Sequence, residues 1–188
     1  MGVALLLLAL QGVIGAFDTV YYHEWKARLP GLGLQAASEL RLHAARDALY
    51  AIIFATLPWL AWQGLWAVAL IAVLVAEIVL TMADFIVEIS VRKPLGDVYG
   101  GERLTHAAMG ILYGAMLAKL YPTMRGWLAQ PTALKWTAAD TTPALRWCLT
   151  AMALGVLLSG IRDLYASLGL SHGNWPWSLT DSSSGGRP

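Results

Sequence analysis

Two segments of this sequence carry an acid, an imidazole and a phenol at the same mutual spacing: Glu39, His43 and Tyr50, then Glu102, His106 and Tyr113. At about 100° per residue, the i, i+4 and i+11 positions of a helix fall within roughly 40° of one another, so each segment projects its three groups from one stripe. Carboxylate with imidazole is a ligand set for divalent iron, manganese or zinc, and a coordination position left open activates water or dioxygen. Two more acids occupy matching places: Phe17-Asp18-Thr-Val-Tyr-Tyr22 corresponds to Ala83-Asp84-Phe-Ile-Val-Glu88, each followed by a basic, proline-containing turn. The expected metal ligands are Asp18, Glu39, His43, Asp84, Glu102 and His106, with Glu88 a further candidate. Tyr50, Tyr113 and Glu77 are expected behind them. Glu77 lies about 10 Å deeper than Asp84, seven residues at 1.5 Å each, as a proton-relay or cavity residue or as a neutral, hydrogen-bonded acid.

The elements that must position these groups are membrane helices. The 188 residues are 57% hydrophobic and only 13% charged, with a mean hydropathy of +0.56, outside the range of an ordinary soluble domain. A net charge of +1 and the lack of a basic run interleaved with aromatics give no reason to expect nucleic acid. One cysteine, Cys148, excludes an intramolecular disulfide and a CxxC site and is expected as an apolar filler. Nine Trp and seven Tyr suit the interfacial perimeter of a small membrane protein.

The pattern predicts an all-α polytopic bundle of about five transmembrane helices in one domain over residues 1–170. Residues 3–22 form the first span; no basic segment precedes it, which reads as a permanent helix rather than a signal peptide. On a continuing α-helix His23 points away from the Asp18 face toward the interface, unless unwinding near Glu24 brings it in. A second helix starts near Gln35 to Ser38, with Ser38 as its N-cap, and returns through Pro58 to Gly64. The third span covers about Leu65 to Val91 and the fourth helix about Glu102 to Tyr121. Pro122 to Pro143 is an interfacial connection with room for a short helix, and the fifth span covers about 144–168. Residues 171–188 read as an interfacial anchor followed by a disordered end, in which His172 has no special role. Gly110/Gly114 and Gly155/Ser159 read as helix-packing notches.

Helices 1-2 (about 1–64) and 3-4 (about 65–121) read as two helical hairpins in a parallel pseudo-repeat, which brings the acids and imidazoles of four helices to one depth. The Lys and Arg count is richer around turns 1-2 and 3-4 and the C-terminus. This puts that side in the cytoplasm of a bacterial inner membrane and the N-terminus outside.

The constellation resembles ferritin-like di-iron carboxylate bundles, with Glu-x-x-x-His in place of Glu-x-x-His. The whole chain also resembles a widespread group of small multi-pass bacterial membrane proteins through Phe17-Asp18-Thr19, Tyr21-Tyr22-His23-Glu24, Glu39-Leu-Arg-Leu-His43, Asp84-Phe85, Glu102-Arg103 and His106. It departs from that pattern at Ile89, where a second acid is expected, and in the Arg92 to Leu95 turn. Several functions follow from these readings. One is a metal-dependent oxidoreductase acting on a lipid-soluble quinone, isoprenoid or fatty chain. Another is a non-enzymatic scaffold or accessory subunit whose acids pair with Arg41, Arg46, Arg92 and Arg103, as a homo-oligomer or within a larger membrane complex. A third is a haem or pigment site on His43 and His106, and the last is a transporter, for which five helices leave little room.

Overall fold

The computed structural model describes residues 1–137 and 141–177. Five long helices dominate. The first, α1 (Gly2–Asp18), continues without a break into a π-helical segment (Thr19–Lys26). A single turn, α2 (Leu29–Leu32), and a 3₁₀ turn (Gly33–Ala36) lead into α3 (Ala37–Thr56). Then come α4 (Leu65–Arg92), α5 (Gly100–Leu128) and α6 (Pro143–Ser167). Gly2–Lys26, Leu65–Arg92 and Pro143–Ser167 are long and apolar enough to cross a membrane. The other two long helices have comparable length but carry their charges in their first turns, at Glu39, Arg41, His43 and at Glu102, Arg103, His106.

The burial pattern inverts that of a soluble protein. On α4 the buried stripe is Ala67, Leu70, Leu74, Glu77, Asp84, Glu88 and Arg92, at steps of three, four and seven, while Val68, Val75, Val79, Met82 and Ile86 are exposed. Aliphatic residues outside and ionisable residues inside are what a hydrocarbon solvent selects, because burial away from lipid is the only way to satisfy a polar group there. The interior has two halves. Toward one end Leu5, Leu8, Ile53, Phe54, Leu57, Leu70, Leu74, Met116, Leu120 and Leu149 form a continuous apolar core. Toward the other, where α1, α4 and α6 end and α3 and α5 begin, acids and imidazoles share the interior with a smaller apolar cluster of Leu29, Ala36, Leu40 and Ala166.

Packing is not that of two self-contained hairpins. The first helix packs chiefly on α5, while α3 packs on α4 and, most extensively, on α6. The expected notches also prove wrong. A Cβ built at Gly110, Gly114 or Gly155 meets nothing within 4 Å, so these glycines face open space. The close approach is instead at Gly160, where a Cβ would stand 2.7 Å from Asp47 Cβ and 3.3 Å from the Ala44 carbonyl.

At the apolar end the connections pair as a two-stranded antiparallel ribbon, β1 (Leu60–Gln63) against β2 (Ala133–Trp136), with Leu60 opposite Trp136 and Gln63 opposite Ala133. α3 stops at Thr56, and Leu57, the residue before Pro58, keeps an α conformation as its C-cap, with its N–H on the Ile53 carbonyl. Gly64, at φ +59°, turns the chain beside Thr132, whose Cα a Cβ would approach to 2.6 Å, so both its conformation and its surroundings require glycine here. This ribbon occupies the connection that had room for a short interfacial helix, and the connection is shorter than expected because α5 does not stop near Tyr121 but runs through Pro122 to Leu128. The proline forfeits one hydrogen bond, to the Ala118 carbonyl. Trp59, stacked on Trp136 at 5.2 Å and edge-on to Trp147 at 5.1 Å, closes this end. Ser38 falls inside the first turn of α3 rather than capping it, and Cys148 is exposed rather than filling the core. Residues 171–177 form turns over the end of α6; the expected disordered end lies outside the described residues.

Gly160→Ala should strain the α3–α6 interface by about 1–3 kcal/mol, since the root of the Asp47 side chain cannot swing away. Gly155→Ala, with open space for its Cβ inside α6, should instead raise stability by up to about 1 kcal/mol. Thermal unfolding of the two variants in the same detergent distinguishes these outcomes.

Candidate metal centre

All seven ligands expected from sequence are buried and lie at the polar end: Asp18, Glu39, His43, Asp84, Glu88, Glu102 and His106 are each at most 9% exposed. They arrive there because each terminates or opens a helix on its inward stripe. Asp18 ends α1, Asp84 and Glu88 lie on the last turns of α4, and the two Glu/His pairs occupy the first turns of α3 and α5.

Each histidine from these pairs meets the aspartate of the other half of the chain. His106 Nε2 is 3.1 Å from Asp18 Oδ2, and His43 Nε2 is 3.4 Å from Asp84 Oδ1. On the far side of each ring a second carboxylate stands near Nδ1, Glu88 at 3.8 Å for His106 and Asp163 at 3.6 Å for His43. Phe85 stacks on the His106 ring at 5.3 Å. Each ring thus stands between two carboxylates, the one on the Nδ1 side close enough for charge attraction but beyond hydrogen-bond distance.

The third imidazole was expected at the interface and is inside. Five residues apart on an α-helix means about 140° apart, but the chain from Thr19 to Lys26 is π-helical, with i to i+5 hydrogen bonding that brings residues five apart nearly above one another. His23 therefore turns onto the Asp18 face. Its Nε2 lies 3.3 Å from Asp18 Oδ2 and 3.1 Å from Glu102 Oε1. Its ring stacks on His43 at 4.7 Å and stands edge-on to His106 at 6.3 Å. The neighbouring Glu24 is held outward by an ion pair with Arg162 and a 3.4 Å hydrogen bond from Trp177 Nε1. Arg162 in turn donates to the Trp175 carbonyl, and Arg28 covers the Trp177 ring at 4.5 Å. The segment after α6 thus clamps the π-helical turn from outside.

Two arginines complete the network. Arg92, 1% exposed, donates to Glu39 at 2.9 and 3.1 Å and to Glu102 at 3.0 Å. Arg46 donates to Asp84 Oδ2 at 2.6 Å. Below this layer Gln11 donates to the Tyr50 hydroxyl at 2.6 Å and Tyr50 donates to Glu77 at 2.6 Å. Thr81 also donates to Glu77, at 2.7 Å, and Tyr113 donates to the Leu74 carbonyl at 3.2 Å. Glu77 and the two tyrosines therefore form a hydrogen-bonded layer beside the ionised one.

Asp18, His23 and His106 offer one ligand atom each, all within 4.8 Å of one another. An ion bound at about 2.0–2.2 Å by nitrogen and oxygen sets its ligand atoms about 3.0–3.5 Å apart along the edges of its polyhedron. The separations around Asp18 Oδ2 fall in that interval. Four buried atoms of the ionised network lack any hydrogen-bond partner among the described residues: His23 Nε2, Glu102 Oε2, Asp84 Oδ1 and Arg46 Nε. Of the other expected ligands, Glu39 is taken up by Arg92 and Asp84 by Arg46. The sequence brings His23 here only through unwinding near Glu24, which the π-helical segment supplies, and it does not bring Asp163 here. A lone acid near the end of an otherwise apolar span was the available signal for Asp163.

Comparison with family models, curated proteins and solved structures gives no match to this chain.

Removing the Arg92 guanidinium while keeping its bulk, as in Arg92→Met, leaves Glu39 and Glu102 buried without their cation. The expected loss is about 3–5 kcal/mol of stability, read as a large fall in thermal midpoint and in the yield of folded protein. Arg103→Met, at an exposed pair with Asp97, should change neither.

Proposed function

We propose that this chain is an integral membrane protein that binds a divalent transition metal through Asp18, His23 and His106, with Glu102 beside them, and acts as an oxidoreductase on a lipid-soluble substrate. The observation that carries the reading is a charge deficit. Six buried carboxylates, Asp18, Glu39, Asp84, Glu88, Glu102 and Asp163, share one interior with two guanidinium groups. Protonating His43 and His106, each between two carboxylates, would offset part of that deficit, but protonating His23 as well would set cations face to face, since His23 stacks on His43 at 4.7 Å, and like charges that close disfavour one another. A metal supplies the positive charge at Asp18 while His23 and His106 stay neutral. His23 Nε2, which reaches two carboxylates without hydrogen-bond geometry to either, is then a ligand atom.

Two histidines and one carboxylate with positions left open are the donor set of non-haem iron oxygenases, which favours iron and redox chemistry. In this reading Asp18, His23 and His106 hold the ion, Glu88 stands on the Nδ1 side of His106, and Arg92 keeps Glu102 ionised and in place. The haem alternative fits less well. A porphyrin held between His43 and His106 would have to displace His23, whose ring stacks on one and meets the edge of the other.

The same reading takes all five long helices as spans in a bacterial inner membrane, the polar end cytoplasmic. It also takes the two halves as a pseudo-repeat, supported by the exchange of partners in which α1 packs on α5 as α4 packs on α3. A scaffold is favoured by one observation, the clamping of Glu39 and Glu102 by Arg92, which fastens α3, α4 and α5 without any metal.

Elemental analysis of the protein purified without chelator should find about one iron per chain. That metal should be lost in Asp18→Asn, His23→Ala and His106→Ala and retained in Glu77→Gln. Folded wild-type protein free of iron, manganese and zinc would overturn the metal reading and leave the scaffold.

A further inference from the structure

His23 enters the site only through the π-helical segment Thr19–Lys26, and burial does not impose that segment: none of its residues is fully buried. A run of i to i+5 hydrogen bonds is rare in helices and calls for something outside itself to hold it. One such bond, from the Ala27 N–H to the Tyr22 carbonyl at 2.8 Å, spans Glu24. Adjacent side chains of the segment are drawn to opposite sides, His23 inward to Asp18 and Glu102, Glu24 outward to Arg162 and Trp177. The inward hold is the weaker, since His23 Nε2 makes no hydrogen bond. The outward one is an ion pair with a permanently charged partner, the one such pair that ties this segment to another helix among the described residues.

Arg162 is itself fixed. Its Nε and Nη2 both donate to the Trp175 carbonyl, at 3.1 and 2.6 Å, which leaves Nη1 directed at Glu24. The segment 173–177 that carries this carbonyl is seated at both ends. A Cβ at Gly173 would stand 3.0 Å from Ala166 Cα on α6, and a Cβ at Gly31 would stand 2.9 Å from Trp177 Cβ. We propose that Arg162, held by this segment, is a positioning residue for the metal centre: it keeps Glu24 outward, and with it the π turn that places His23 Nε2 beside Asp18 and Glu102. Once the clamp is released the segment relaxes to an α-helix, in which residues 18 and 23 lie about 140° apart, and the ion loses one nitrogen ligand. Occupancy of a buried site is thereby set by a contact near its surface. The role of His23 as a ligand rests on the metal reading, but its position does not.

Two readouts separate position from coordination. Cobalt(II) titrated into the purified full chain reports the ligands of the ion through its visible spectrum. Carbethoxylation of His23 by diethyl pyrocarbonate, followed by mass spectrometry on metal-free protein, reports where the ring is. The side chains of Arg162 and Glu24 are 27% and 22% exposed, so removing either leaves no fully buried charge behind. Glu24→Ala and Arg162→Met should each weaken cobalt binding about tenfold or more, alter the spectrum and make His23 reactive. The double variant should go no further than either single one, because both act through one contact. Glu24→Gln, which keeps the bulk of the side chain if Glu24→Ala does not fold, should show the same changes to a smaller extent. Arg41→Met, which removes a 3.4 Å bond to the Ser167 carbonyl at the same end of α6, should show none of them. His23 unreactive in the folded variants of the pair, an additive double variant, or equal effects from Arg41→Met would overturn the positioning role. His23 made reactive by these substitutions in a protein whose wild type binds no cobalt would overturn the metal reading alone.

Discussion

The structure depends on how an excess of negative charge is held inside a low-dielectric bundle. An ionised carboxylate moved from water into hydrocarbon loses several kcal/mol of solvation even after relaxation, and only a paired or coordinated charge recovers it. Arg92 is the hinge of this arrangement. It comes from the last turn of α4 and joins the first turns of α3 and α5, so one guanidinium ties three helices at the level where the chain would otherwise be forced apart by its own acids. Arginine suits the task because its planar, permanently charged fork can meet two carboxylates at once.

Around this point the fold divides its work along the membrane normal. Half the interior is close-packed aliphatic core, sealed at its end by a short β-ribbon and a tryptophan cluster, and gives the helices their mutual positions. The other half has a smaller apolar cluster of Leu29, Ala36, Leu40 and Ala166 and gets the rest of its order from directed contacts: carboxylate to imidazole, imidazole to imidazole, guanidinium to carboxylate. The hydrogen-bonded layer of Gln11, Tyr50, Glu77 and Thr81 separates the two. Such a layer satisfies the last buried polar groups before the interior becomes wholly aliphatic, and the phenols serve it well because one end of each ring is apolar.

The parts of this arrangement that follow an α-helical period were legible in the sequence. Glu39 with His43, Glu102 with His106, and the Glu77 to Asp84 stripe all lie where 100° per residue puts them. The parts that break the period were not. His23 reaches the site only because the helix widens to a π turn, and nothing in Thr-Val-Tyr-Tyr-His-Glu announces that; the cause is tertiary, with Glu24 pulled outward by Arg162 and the segment after α6. The pairing of Arg92 with the acids is legible, but its place is not: the sequence puts it in the turn, whereas α4 keeps it on its last turn, pointing inward. Pro122 was read as a stop, but it forfeits one hydrogen bond in a helix whose neighbours keep it in place. The strand pairing of 60–63 with 133–136 joins segments seventy residues apart, beyond any local pattern.

The departures from symmetry between the two halves carry the most information about the site. Five residues beyond the aspartate stands His23 in the first half and Ile89 in the second; three residues beyond the histidine stands Arg46 in the first and Met109 in the second. These differences are complementary in space. Asp18, which lacks an arginine, faces two imidazoles, and Asp84, which lacks a second ligand of that kind, receives the Arg46 guanidinium at 2.6 Å. A cation fixed in the chain thus stands on one aspartate, where its partner has only neutral or titratable groups around it. If the network were fastening alone, either solution would serve at both places. An arginine at one aspartate and paired imidazoles at the other is an asymmetry that supports the proposed reading, in which one of the two positions is kept for an ion.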